Sequence, residues 1–279
     1  MPVLSSYDGT ELAYRVLGVG HPVVCLAGGP MRDSVYLGDL GGLSERMQLI
    51  VPDLRGTGRS QAPKDIASYR CDYLVADVEA LRDDLGLDKM NLLAHSAAAN
   101  LAVLYAARHP ERIGRLVLIT PDAEAVGISV TSDMRREMVR LRRNEPWFEA
   151  ASAAFEAIQA GQATGDDWAA IAPFTYGRWD AAAQAHYAKA GDQRNLEAAA
   201  VFASDGAFDP GETRTALRRF SAPALFVAGE LDVAAPQKVV AEFAGLLPSA
   251  TLVTQPGGGH YPWLDDPAFF TSTVAAFVQ

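Results

Sequence analysis

Three side chains, far apart in the chain, have the types and the order that acyl transfer to water uses: Ser96, Asp232 and His260. Ser96 lies in Leu92-Leu93-Ala94-His95-Ser96-Ala97-Ala98-Ala99, directly after an apolar strand-like run and directly before a helical one. A strand that turns sharply into a helix lifts the oxygen at the turn above the sheet and aims the helix N-terminus at it. Such a turn needs small residues two before and two after the serine, because the strand and helix backbones pass close together. Ala94 and Ala98 hold those positions, where glycine is usual. Alone, the motif also describes a serine that caps a helix. A nucleophile, however, needs a base and a group that orients the base. Gly229-Glu230-Leu231-Asp232 follows the apolar run 224–228, and Gly257-Gly258-Gly259-His260 forms a glycine-rich loop after the last strand-like run. His260 is therefore expected as the base. Asp232 is expected as its partner, since it lies past the strand end where a carboxylate can turn to the imidazole; Glu230 is expected to face solvent. A fourth element comes from Val23-Val24-Cys25-Leu26-Ala27-Gly28-Gly29-Pro30, a strand followed by glycines, which lets backbone amides face a developing oxyanion. The expected donors are the amides of Gly29 and Ala97.

These groups need a scaffold, and the chain alternates between strand and helix patterns. Strands are expected at Glu11–Leu17, Pro22–Leu26, Gln48–Pro52, 90–94 and 115–120. A helix over 72–85 places Leu74, Val78, Leu81 and Leu85 on one face, and a second runs from Ser96 to the stop at His109-Pro110. From about 122 to 220 no strand pattern occurs, and an Ala-, Arg- and Glu-rich segment with many aromatics predicts four to five helices. Strands return at 223–228 and 250–253, with a helix opened by Pro236 between them and a closing helix at Pro267–Val278. The expected fold class is α/β: a mostly parallel central sheet with helices on both faces, formed by 1–121 and 221–279, with 122–220 as an inserted helical cap.

Composition narrows the partners. The 279 residues are 49% apolar and 21% charged, and 24 basic against 34 acidic side chains leave a net charge of -10. A chain of this length buries a core large enough to need no disulfide or structural metal. The acidic balance disfavours nucleic acid and anionic membrane, which call for clustered positive charge. Residues 1–17 carry neither a basic leader nor an unbroken apolar run, and no membrane-length apolar stretch occurs. A cytoplasmic location is expected. Cys25 and Cys71 read as reduced, partly buried residues without a redox role, and no zinc-binding spacing exists. His95 is expected beneath the serine turn; His21, His109 and His186 read as surface or helix-end residues.

Taken with the serine turn, the chain resembles the α/β-hydrolase fold, and within it the proline iminopeptidase group. The residues that carry the resemblance are Ala27-Gly28-Gly29-Pro30, Asp53-Leu54-Arg55-Gly56-Thr57-Gly58-Arg59-Ser60, the turn at Ser96, His109-Pro110-Glu111-Arg112-Ile113 and the helical segment 122–220. The resemblance implies a Ser-Asp-His hydrolase with no metal or organic cofactor, in which Asp53 and Arg55 brace a loop. Ala27 replaces the histidine of that group's oxyanion loop, and Ala98 the last glycine of its serine turn.

The serine rules out the carboxylate-nucleophile chemistry of epoxide and haloalkane hydrolases. A small-molecule or short-peptide substrate is expected. An iminopeptidase has to hold a free amine, for which Glu145, Glu149, Glu156 and Glu197 of the cap are candidates. Trp147, Trp179 and Tyr187 are candidates to line a pocket for an apolar acyl group or a proline-like ring. Residues 135–143 are locally basic, a solvated helix face or a site for an anionic group. An exopeptidase or amidase, an esterase, lactonase or thioesterase, and a ligand-binding protein without catalysis all remain open at this level.

Overall fold

Val23 and Cys25 pack into one buried cluster while Val24 and Leu26 pack into another, and Leu93 separates from Leu92 and Ala94 in the same way. Side chains alternate across a strand, so an unbroken apolar run of this kind belongs to a sheet covered on both faces. The computed structural model describes all 279 residues. Its strands are β1 (Val3–Ser5), β2 (Glu11–Leu17), β3 (Pro22–Leu26), β4 (Gln48–Pro52), β5 (Met90–His95), β6 (Ile113–Ile119), β7 (Ala224–Gly229) and β8 (Ala250–Gln255). They form one sheet in the order β1-β2-β4-β3-β5-β6-β7-β8. The β1–β2 and β2–β4 pairs are antiparallel, and every pair from β4 to β8 is parallel.

On one face lie α1 (Cys71–Asp84), α2 (Ala98–Arg108) and α9 (Gln237–Ala244), which contribute Leu74, Leu101 and Val240 to the larger core cluster. On the other, α11 (Pro267–Val278) buries Phe270 and Val274 against the sheet, beside Trp263 of the short α10 (Pro262–Asp265). Between β6 and β7 come α3 (Ser132–Arg140), α4 (Phe148–Gln159), α5 (Gly165–Ala170), α6 (Ala181–Ala188), α7 (Leu196–Phe202) and α8 (Pro210–Leu217). That is six helices where four to five were expected. The extra division is made by side-chain caps: Thr131, Asp180, Asn195 and Asp209 each accept an amide of the helix they open.

Other differences are local. β1 escapes the pattern because three residues carry too little periodicity. β8 runs to Gln255, two residues past the expected end. Cys25 and Cys71 are wholly buried, which pushes both thiols well above their ordinary range. Pro236 precedes its helix as the cap residue. Arg55, fully buried, pairs with Asp77 and, at 2.8 Å, with Asp8. Asp53 accepts from the Ser34 hydroxyl at 2.5 Å and the Arg59 amide at 3.0 Å, so both residues brace their loop. No helix is long and apolar enough to cross a membrane.

Candidate active site

One residue separates the end of β5 from the cap of α2, and that residue is Ser96, with φ at +55°. A side chain in the left-handed region costs about 1–3 kcal/mol and persists only where its surroundings hold it. Here the Ser96 amide donates to Ile119 at 3.0 Å, and its carbonyl accepts from Ala99 at 2.9 Å and Asp122 at 3.1 Å. The turn leaves the hydroxyl 2.9 Å from His260 Nε2. On the other side of the ring, Nδ1 lies 2.8 Å from Asp232 Oδ2. Asp232 is completely buried, and its second oxygen accepts the Ala234 amide at 2.8 Å. A carboxylate at Nδ1 keeps the ring proton there and leaves Nε2 free to accept from Ser96. Glu230, in contrast, is exposed and accepts only the Gly257 amide, at 2.7 Å.

Close approach at the serine turn falls on Gly28. A Cβ there would lie 2.4 Å from the His95 carbonyl oxygen and 3.0 Å from Ser96 Cβ. Ala94 and Ala98 pack without such conflict, both essentially buried. The Gly28 amide is committed to Tyr36 Oη at 2.8 Å. The amides of Gly29 and Ala97 donate to no group of the protein, and a Cβ on Gly28, the residue before Gly29, would lie 3.2 Å from the Ala97 amide nitrogen.

Tyr36 Oη accepts from Gly28, so its own proton goes to His95 Nδ1, 2.7 Å away. His95 then carries its hydrogen on Nε2 and donates it to the His260 carbonyl at 2.8 Å. Burial, reinforced by His260, holds the His95 imidazole well below its ordinary pKa, so it stays neutral. His95 therefore lies beneath the turn and ties it to the base loop. His186, expected at the surface, is instead half-buried: Nε2 faces the Tyr36 carbonyl at 3.2 Å, and Nδ1 lies 2.8 Å from Tyr176 Oη. Its polar neighbours in sequence hid that packing.

The loop that carries His260 is gripped from two sides. His260 donates its amide to Thr175 at 2.8 Å, and its carbonyl accepts the Thr120 hydroxyl at 3.0 Å. Asp265, buried, accepts from the amides of Gly259 (2.7 Å), Gly177 (2.9 Å) and Arg178 (3.2 Å). Burial raises its carboxyl above the ordinary range, against the pull of those three donors.

Ser96 and His260 open on a cleft of about 380 Å³ whose wall includes Asp122, Glu124, Ser129 and Arg135. Burial, with Asp122 beside it, pushes the Glu124 carboxyl up. Arg135 and Ala234 also belong to a second, mostly apolar cavity of about 410 Å³, walled by Phe155, Ile158, Trp168 and Phe174. The two spaces therefore adjoin.

Residues 21–267 match the alpha/beta hydrolase fold family. The chain belongs to that family. A proline iminopeptidase from Heyndrickxia coagulans is 22% identical over 94% of this chain and 92% of that protein. A cis-3-alkyl-4-alkyloxetan-2-one decarboxylase from Shewanella oneidensis is 37% identical, but only over 42% of this chain and 38% of that relative, well under half its length. Among solved structures, an esterase from Rhodococcus sp. ECU1013 superposes with a TM-score of 0.74 at 26% identity, over 99% of this chain and 98% of that one.

Within this alpha/beta hydrolase, Ser96, His260 and Asp232 are in direct contact, and Ala97 follows Ser96 directly. The expected pocket residues do not line either cavity. Trp147 packs on Phe174 and under Arg142, Trp179 stacks between Tyr176 and Tyr187, and Glu149 is exposed. Of the other cap carboxylates, Glu145 faces Arg142 and Glu156 faces Arg136 at the surface, while Glu197 is exposed. The charged groups that do face Ser96 are Asp122, Glu124 and Arg135. The signal for the first two was their position just past the end of β6, the same rule that pointed to Asp232.

Proposed function

We propose that the chain is a serine hydrolase that cleaves an acyl bond through a covalent acyl-enzyme. The observation that carries this reading is the hydrogen-bonded line Ser96–His260–Asp232, at 2.9 and 2.8 Å, ending in a buried carboxylate. Ser96 Oγ attacks the carbonyl carbon while His260 Nε2 takes its proton. The tetrahedral oxyanion sits between the amides of Gly29 and Ala97, whose hydrogens are otherwise unused. His260 returns the proton to the departing amine or alkoxide, and a water then reverses the sequence to free the acid. Asp232 holds the imidazole in orientation and stabilises its charged form. Residues 122–220 act as the lid over this chemistry, and the substrate is a small molecule or short peptide.

The first substrate reading is an exopeptidase or amidase of the proline iminopeptidase type. Supporting it are the nearly full-length relative and the placement of Asp122 and Glu124 in the cleft with Ser96, where a free amine would find two carboxylates. A second reading, an esterase or lactonase, is favoured by the adjoining apolar cavity, which suits an acyl chain better than a charged amine. Hydrolysis of a prolyl anilide and of a short-chain nitrophenyl ester by the wild type and by Ser96→Ala decides between them. Anilide turnover lost in the variant supports the peptidase; ester turnover alone, lost in the variant, supports the esterase. Turnover of either that survives Ser96→Ala overturns the serine mechanism.

A further inference from the structure

A guanidinium at the boundary of two cavities needs a reason to be there, because taking a cation from water is unfavourable unless something compensates it. Of the five arginines in 135–143, Arg136 pairs with Glu156 at 2.9 Å and the buried Arg142 with Glu145 at 3.3 Å, while Arg140 and Arg143 are exposed to water. Arg135, half-buried on α3, has no carboxylate partner, and its one side-chain hydrogen bond runs from Nη1 to the Val233 carbonyl at 3.2 Å. Its remaining donors meet no group of the protein. Of the residues that wall the apolar cavity, Arg135 is the only charged one. In the reactive cleft it stands with Asp122 and Glu124, which repel an anion from their own part of the wall and leave Arg135 as the single group that attracts one.

We propose that Arg135 is a specificity-determining residue that binds a carboxylate on the substrate, so that the preferred substrate is an ester or amide whose apolar body occupies the Phe155–Trp168–Phe174 cavity and which carries an anionic group where that cavity meets the cleft. The proposal rests on the serine-hydrolase reading, deepens it, and gives the protein a way to discriminate between acyl compounds of equal size. The planar fork of an arginine suits a carboxylate, and a lysine offers only a point charge in its place.

The test compares mono-4-nitrophenyl glutarate with 4-nitrophenyl pentanoate, which differ in a terminal carboxylate against a methyl group. The wild type is expected to favour the glutarate in kcat/KM by about 10- to 100-fold, the range a charge-assisted pair commands. Arg135→Gln removes that preference, largely through KM, so that turnover of the glutarate falls at least about tenfold further than that of the pentanoate; Arg135→Lys restores part of the preference. Equal rates on the two esters in the wild type, or an equal loss on both in Arg135→Gln, overturns the proposal. Labelling of Ser96 by a fluorophosphonate tests the underlying reading separately, since it needs no substrate recognition. If Ser96 is labelled and neither ester turns over, protection against labelling by monomethyl glutarate and by methyl pentanoate gives the same comparison. Protection by the acid that vanishes in Arg135→Gln supports the proposal, and equal protection by both, or none, overturns it.

Discussion

A hydroxyl that accepts one proton and gives away another, as Tyr36 does between the Gly28 amide and His95, fixes the roles of both neighbours. Tyr36→Phe strands a buried amide and a buried ring nitrogen together. Leaving such groups unpaired costs about 1–3 kcal/mol each. The expected result in urea unfolding is a loss of about 2–6 kcal/mol for the two groups together, and an unchanged midpoint would mean that Tyr36 pairs with neither. Asp232→Asn is the sharper test, because an amide at Nδ1 favours the wrong ring tautomer while leaving the volume alone. Turnover should fall by about 10³- to 10⁴-fold with the circular dichroism spectrum unaltered; a drop below tenfold would mean that Asp232 does not orient His260. Ser96, Asp232 and His260 were legible in the sequence because each stands just past a strand, where a parallel sheet presents its ends. Tyr36 and Asp265 were not, and Arg135 was legible only as one member of the basic run 135–143. Each meets the site through a chain reversal or a lid helix, and no periodicity records which loop will fold against which.

At the scale of elements, the two alanines of the serine turn and the glycine that crosses it have exchanged the expected roles. Ala98 begins α2 with its methyl packed and its backbone unstrained, so Ala98→Gly should cost about 1–2 kcal/mol, through helix propensity and the lost buried methyl, without moving the turn. Gly28→Ala has no such freedom, since the added carbon would meet the His95 carbonyl at 2.4 Å. Relief requires the β3 loop to move away from Ser96, which overpacks the turn by about 1–3 kcal/mol and displaces the neighbouring Gly29 amide. Measured side by side, Gly28→Ala should lose both thermal stability and turnover, and Ala98→Gly should keep its turnover; the reverse ranking in turnover would refute this reading of the turn. Apart from the three-residue β1, the strands were legible to within one or two residues, most clearly where burial on both faces writes long apolar runs. The lid helices were less so, since their number is decided by single capping residues and not by pattern.

For the whole molecule, acid is the informative perturbation. His95 and His186 both sit neutral in the fold, held below the ordinary value of 6.5 by burial, His186 to about 4. An unfolded chain binds those protons more readily, so between about pH 4 and 6.5 stability rises with pH. Each such group contributes at most about 1.4 kcal/mol per pH unit. Asp77, Asp265 and Glu124, raised in the fold, act in the opposite sense near the acid end of that window. Thermal melts from pH 4 to 7 should therefore show falling stability on acidification, and a flatter curve for His186→Gln; identical slopes would mean that His186 is not buried neutral. One feature of the base loop reaches further. A Cβ on Gly177 would lie 1.9 Å from the Gly257 carbonyl, one on Gly259 2.5 Å from the Gly177 amide, and one on Gly229 2.2 Å from the Gly259 carbonyl. Bare backbone from three stretches of chain, the last two separated from the first by some eighty residues or by fifty, meets at a point that only the finished fold can assemble. His260 can face Ser96 only where these stretches have come together, so the spacing between the two side chains depends on how residues 175–177 seat against the loop 257–260.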